Sequence, residues 1–171
     1  MIQDLIDYQR EAQKKWIDLI ILAWKDPKLK EKLFKNPKEV CTAHGIKLPK
    51  GQEVKILENS KEIFHLVLPK APEGLSKEDL LKVGVEGYPP HWGKIIGKAW
   101  TDPKFKEELF KNPKEVCKKN GLNINQEKVH IIDEEKETYY MVFPRKTSDE
   151  LSDKELYIIA AGGGCVFMGA L

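Results

Sequence analysis

The chain has 171 residues, 41% of them hydrophobic and 33% charged, which is enough apolar material for the core of one medium or two small domains. Its 29 basic and 27 acidic residues leave a net charge of +2, without the clustered basic excess that neutralises phosphates, so no nucleic-acid partner is expected. Three cysteines, an odd number with no close pairing, argue against a disulfide framework and suit a reducing cytoplasm.

Met1 to Arg10 lacks the basic start and uninterrupted apolar run of a secretory signal. The apolar stretch from Ile17 to Trp24 is broken by Asp18 and is far too short to span a bilayer. A cytoplasmic protein without membrane insertion is expected. Trp16, Ile20 and Trp24 then fall at helical spacing and predict a first helix, of which Met1 to Lys15 is an N-terminal extension. Asp26-Pro27 sets a capping carboxylate ahead of a proline at the first helical position, where the missing N–H costs nothing. Asn36-Pro37-Lys38-Glu39 repeats the device, with a glutamate three residues after the cap, and Gly45 supplies the left-handed residue that ends that helix.

Glu53 to Leu57 and Phe64 to Leu68 are short alternating runs on either side of Glu58-Asn59-Ser60-Lys61-Glu62, a pattern that predicts a β-hairpin closed by Pro69. Ser76-Lys77-Glu78-Asp79 is a capping box that opens a further helix, expected to run to about Leu81. Gly84 to His91 reads as a linker.

Beyond it the pattern recurs. Trp16, Trp24, Asp26-Pro27, Phe34, Asn36-Pro37, Cys41 and Gly45 return as Trp92, Trp100, Asp102-Pro103, Phe110, Asn112-Pro113, Cys117 and Gly121, 76 positions later. The offset is 75 across the strands, where Val54 matches Val129 and Pro69 matches Pro144, and 76 again at Leu75-Ser76 and Leu151-Ser152. The expected fold is therefore α+β, in two tandem copies of short helices, a β-hairpin and a closing helix. The units are residues 1–87 and 88–161, and a glycine-rich segment and tail, 162–171, follows the last helix, which is expected to end near Ile159. Gly162-Gly163-Gly164 cannot sustain a helix, because glycine loses the most backbone freedom on ordering. The extended, unbranched segment expected there fits the narrow cleft of a protease. Beyond it lies a short, uncharged, apolar tail with one thiol, Cys165.

Catalytic chemistry is hard to find. Cys41 and His44 share a helix face, but the second unit has Cys117 and Asn120 there, so the pair is not kept. Cys41 and Cys117 read as small buried hydrophobes, and the tryptophans as core. His65, His91 and His130 have no ligand spacing with one another, and no nucleophile lies beside a base in sequence. A phosphate loop would sit between a strand and a helix, whereas the three glycines follow a helix. Neither a metal, nor a cofactor, nor a catalytic residue is expected.

With these residues in view the sequence resembles the nitrile hydratase-like leader peptides, precursors of proteusin-type modified peptides. The resemblance rests on Ala-Trp-x-Asp-Pro at 23–27 and 99–103 and on Asn-Pro-Lys-Glu-Val at 36–40 and 112–116. It continues through His65-Leu66-Val67-Leu68-Pro69, Leu-Ser-x-x-x-Leu at 75–80 and 151–156, and Ala161-Gly162-Gly163. It implies a folded leader docked by a maturation enzyme, with Leu151, Leu156 and Ile159 as candidate recognition residues. It also implies a short core peptide, released after the glycines by a cysteine peptidase of an exporter. Cleavage would fall within Gly162, Gly163 and Gly164, after Gly163 or after Gly164. The core has no Ser or Thr from which lanthionine rings could start. Cyclisation of Cys165, a radical thioether from Cys165, and epimerisation of Val166 or Ala170 stay open. Two alternatives remain: a metal-free protein like the nitrile hydratase α-subunit, which Pro89-Pro90-His91-Trp92 resembles but whose Cys-x-x-Cys-Ser-Cys metal segment is not in the sequence, and an adaptor that is never processed.

Overall fold

The computed structural model describes residues 1–134 and 137–162, the side chains of 158–162 excepted. In order the elements are α1 (Ile2–Lys25), α2 (Pro27–Lys35), α3 (Pro37–Ala43), β1 (Glu53–Glu58), β2 (Ile63–Leu68) and α4 (Lys77–Gly87). The same order of types returns as α5 (Trp92–Thr101), α6 (Pro103–Lys111), α7 (Pro113–Lys119), β3 (Lys128–Asp133), β4 (Thr138–Phe143) and α8 (Asp153–Gly162).

Local chemistry sets the helix starts. Asp26 Oδ1 accepts the N–H groups of Lys28 and Leu29 at 3.1 and 3.3 Å, and Asp102 Oδ1 those of Lys104 and Phe105 at 3.1 and 3.2 Å, which satisfies donors that a first helical turn leaves open. Asn36 and Asn112 differ from expectation, since neither makes a side-chain cap bond. The following proline fixes the first turn there, and Glu39 faces Lys32 at 3.7 Å instead of reaching back. Gly45 and Gly121 end α3 and α7 at φ of 79° and 89°, in the region where only glycine is unstrained.

The expected hairpins do not form. β1 lies parallel to β4, with Val54 opposite Tyr139, and β2 lies parallel to β3, with Phe64 opposite Val129. Each half thus gives its second strand to the first strand of the other. The turn between β1 and β2 carries the chain from one sheet to the other. Ser60 Oγ accepts from Glu62 and Ile63, and the Asn59 amide donates to Phe143 O at 2.9 Å. The turn after β3 mirrors it, with the Glu134 amide donating to Leu68 O at 3.1 Å.

The cores show why the exchange wins. Trp16, Ile20, Leu33, Cys41 and Val54 of the first half close around Tyr139, Met141 and Phe143 of the second. Trp92, Ile96, Leu109, Cys117 and Val129 close around Leu66 and Leu68 of the first. Trp16 Nε1–H donates to Val142 O at 3.1 Å and Trp92 Nε1–H to Val67 O at 3.2 Å, so each buried indole is satisfied by the strand that the other half supplies. A ring of this size removes about 150–250 Å² from water, roughly 4–6 kcal/mol at ~25 cal/mol per Å².

The closing helices run farther than expected, α4 to Gly87 and α8 to Gly162, because packing stabilises helix that glycine alone disfavours. α4 meets α5 at backbone contact. A Cβ on Gly93 would stand 2.3 Å from Gly84 O, and one on Gly84 would stand 2.8 Å from Gly93 O. The first half of the residues read as a linker, Gly84 to Gly87, is therefore helix, and the turn over Tyr88 to His91 holds His91 at φ 68°. The N-terminal extension is one helix with the rest of α1, and Arg10 Nε–H ties it to Glu86 O at 2.7 Å.

Candidate functional site

The segment that leads to the tail is built from a reciprocal capping box. Ser152 Oγ accepts the Glu155 N–H at 3.2 Å, and Glu155 Oε1 accepts the Ser152 N–H at 3.3 Å and its hydroxyl at 2.9 Å. α8 is joined to α1 by the Lys25–Asp153 ion pair. Among the recognition candidates, Leu156 is buried, Leu151 is half-buried, and the side chain of Ile159 lies outside the described residues. Among the described side chains of α8, Tyr157 is a large apolar one left open, 42% exposed, and Leu22 of α1 is similarly exposed. Gly162 is the last residue of α8. Gly163, Gly164, Cys165, Val166 and Ala170 lie outside the described residues.

The two described thiols sit apart, one in each core. Burial pushes Cys41 up to about 12 and Cys117 up to about 11, so both stay protonated near neutrality, and a protonated thiol is neither nucleophile nor metal ligand. Cys41 Sγ lies 4.0 Å from Met141 Sδ in that setting.

Two features were out of reach of spacing arguments, because they follow from the strand exchange. His65 and His130 are register partners across β2 and β3, their rings 5.7 Å apart and near perpendicular. Burial, and then the neighbouring His130, lower the His65 pKa, and its Nδ1 lies 3.0 Å from Asn59 Oδ1. Glu134 is the second. Its Oε2 accepts the Lys70 N–H at 3.3 Å, while Oε1 is buried with no partner among the described residues. Burial pushes its carboxyl up to about 7, against the opposing pull of the Lys70 N–H.

An iron or cobalt centre of the nitrile hydratase type would need converging thiolates. The donor chemistry does not fit: Cys41 and Cys117 lie in separate cores and hold their protons, and no group of three or more His, Cys, Asp or Glu among the described residues could hold a metal ion. No described helix is long and apolar enough to cross a membrane.

Comparison with known proteins places this arrangement. Residues 78–148 match the family model of the nitrile hydratase alpha chain. The cobalt-containing nitrile hydratase subunit alpha of Pseudonocardia thermophila is 25% identical over 142 residues, 81% of this chain and 63% of that protein. Polytheonamide B, from a bacterial symbiont of Theonella swinhoei, is 34% identical over 68 residues, 36% of this chain and 47% of that protein. The chain thus spans under two thirds of the length of these relatives. Among solved structures, an iron-type nitrile hydratase from Comamonas testosteroni Ni1 superposes with a TM-score of 0.58 at 19% identity, covering 93% of this chain and 70% of that one. A recombinant thiocyanate hydrolase gives 0.56 at 16% identity, covering 99% and 83%. The chain thus carries a nitrile hydratase α-chain-like domain, in a fold similar to those of the nitrile hydratase and thiocyanate hydrolase structures.

Proposed function

We propose that this chain is a ribosomally synthesised precursor of the proteusin type, in which a nitrile hydratase-like leader, duplicated in tandem, presents a short core peptide to a maturation enzyme. The observation that carries the reading is the likeness to Polytheonamide B alongside the nitrile hydratase α chains, in a chain whose described thiols are unsuited to a metal centre. The recurring order of elements and the matched caps at Asp26 and Asp102 support the tandem duplication.

In this reading the body is a non-enzymatic substrate in the cytoplasm. Buried Leu156 seats α8, and Tyr157, with Leu151 and Ile159, is what a cyclising, radical or epimerising enzyme reads. A cysteine peptidase of an exporter then cuts after Gly163 or Gly164 and the core leaves the cell. Cys165 is the nucleophile for cyclisation or a thioether, and Val166 and Ala170 are the positions for epimerisation.

Deleting Cys165 to Leu171 tests the division of labour. The truncated chain should bind the maturation enzyme as the full chain does and yield no product. A truncated chain that keeps the full biological effect would favour an adaptor, and stoichiometric iron or cobalt in the purified protein would favour a hydratase.

A further inference from the structure

The two halves furnish equivalent corners differently. In one, Trp100 Nε1–H donates to Pro69 O at 2.7 Å, and the Tyr88 ring packs edge-on against that indole at 5.9 Å. Glu134 brings a carboxylate to the same corner, where its Oε2 meets the Lys70 N–H. The positions equivalent to Trp100, Pro69, Glu134 and Lys70 are Trp24, Pro144, Asn59 and Arg145, and these line an open groove of about 390 Å³. A smaller hollow of about 190 Å³ adjoins it, sharing Asn59, Pro144 and Arg145.

The contacts made at the Trp100 corner are lacking in the groove at Trp24. Trp24 touches Phe143 edge-on at 6.0 Å, but its Nε1–H makes no hydrogen bond to Pro144 or to any other described residue. Asn59 carries no charge, and its Oδ1 is turned to the His65 N–H at 2.7 Å. Arg145, half-buried, forms no ion pair or hydrogen bond among the described residues. The position 76 residues before Tyr88 is Ala12, which has no ring to lay on an indole. One pair is matched on both sides and cancels: Lys30 meets Glu58 at 2.6 Å as Lys106 meets Asp133 at 2.9 Å.

What remains is a guanidinium and an indole N–H, donors without acceptors among the described residues, in a half-sheltered groove that also holds Lys146, itself paired with Asp149 at 3.3 Å. A planar guanidinium fork is shaped for a carboxylate, and sheltering from water strengthens the pair. We propose that the Trp24–Arg145 groove binds a carboxylate from outside the chain, the group that Glu134 supplies from within in the other half. The ligand is either a free small carboxylate or an acidic side chain of a bound polypeptide. The site exists in the folded body whatever becomes of the tail.

Amide-proton NMR of the full chain tests this through the indole cross-peaks, assigned with Trp24→Phe and Trp100→Phe. The probes are acetate, a short blocked peptide with one glutamate, and the same peptide with glutamine. A saturable shift of the Trp24 peak with acetate assigns the site to small carboxylates; a shift with the glutamate peptide alone assigns it to an acidic polypeptide. In either case the Trp100 peak should stay still, and Arg145→Gln should weaken binding by about tenfold or more, as loss of a charge-assisted hydrogen bond does. Asn59→Glu, which places a carboxylate where the other half has Glu134, should move the Trp24 peak without ligand and abolish binding. The proposal fails if neither carboxylate probe gives a saturable shift, if chloride or the glutamine peptide acts equally, or if Arg145→Gln or a folded Asn59→Glu chain binds unchanged.

Discussion

Trp16 and Trp92 are both fully buried and both donate to a carbonyl of the other half's second strand, yet the residues that follow them, Ile17 and Gly93, could hardly differ more. The contrast separates what the exchanged core demands from what each closing helix does. Inside the core, each half must receive the other's strand, so the two indoles make the same hydrogen bond, although Trp16 packs edge-on against Phe143 where the second core has Leu68. Outside it, Gly84, Gly93 and Gly97 let α4 lie backbone to backbone on α5 and fix the joint between halves. The positions equivalent to Gly93 and Gly97 on α1 are Ile17 and Ile21, and α8 rests on that bulkier helix before running out at Gly162. One closing helix is locked, and the other leads to the tail.

The largest test of this comparison is Trp16→Ala against Trp92→Ala. Each should cost about 3–5 kcal/mol, the loss typical of a buried tryptophan, and the two should agree within about 1 kcal/mol in urea unfolding. Clear disagreement would break the equivalence of the cores. Gly93→Ala comes next. Its methyl meets backbone rather than a side chain that can turn, so about 2–3 kcal/mol should be lost, whereas Ile17→Leu, on a helix without the glycine contact, should cost under about 1.5 kcal/mol.

Glu134 gives the halves different responses to pH. Its folded-state carboxyl binds a proton more tightly than the ordinary value of 4.5 would allow. The stability it contributes is complete below about pH 4.5 and is lost as pH rises through about 7, a change on the order of 1–3 kcal/mol. Unfolding midpoints measured across that window should fall more steeply in the native chain than in Glu134→Gln. Equal slopes would show that the buried carboxyl titrates normally. The smallest effect is at the caps: Asp26→Ala and Asp102→Ala should each cost about 1 kcal/mol, to the same extent.

Much of this plan was legible in the residues themselves. Asp-Pro caps, the closing glycines of α3 and α7, the strand positions and the Ser152 capping box are local devices, set by a few consecutive side chains. The partner of each strand was not legible. Alternation in Glu53 to Leu57 says that one face is buried without saying against what, and the five residues to Glu62 are as long as a hairpin loop needs. Only the other half's strand, satisfying Trp16 and Trp92 at once, decides for parallel exchange. The same cause hid the His65–His130 pair and the buried Glu134, which tertiary pairing brings to their places. Gly84 to Gly87 read as linker because a glycine's use in helix contact shows only when the second helix is present.

Intact mass of the chain co-produced with the products of its neighbouring genes, followed by the mass of any released C-terminal fragment, tests the precursor role most directly. A fragment beginning at Gly164 or Cys165, with a mass altered from that of its sequence, is the predicted result. A chain that stays whole and unmodified beside an active maturation enzyme and peptidase would contradict it.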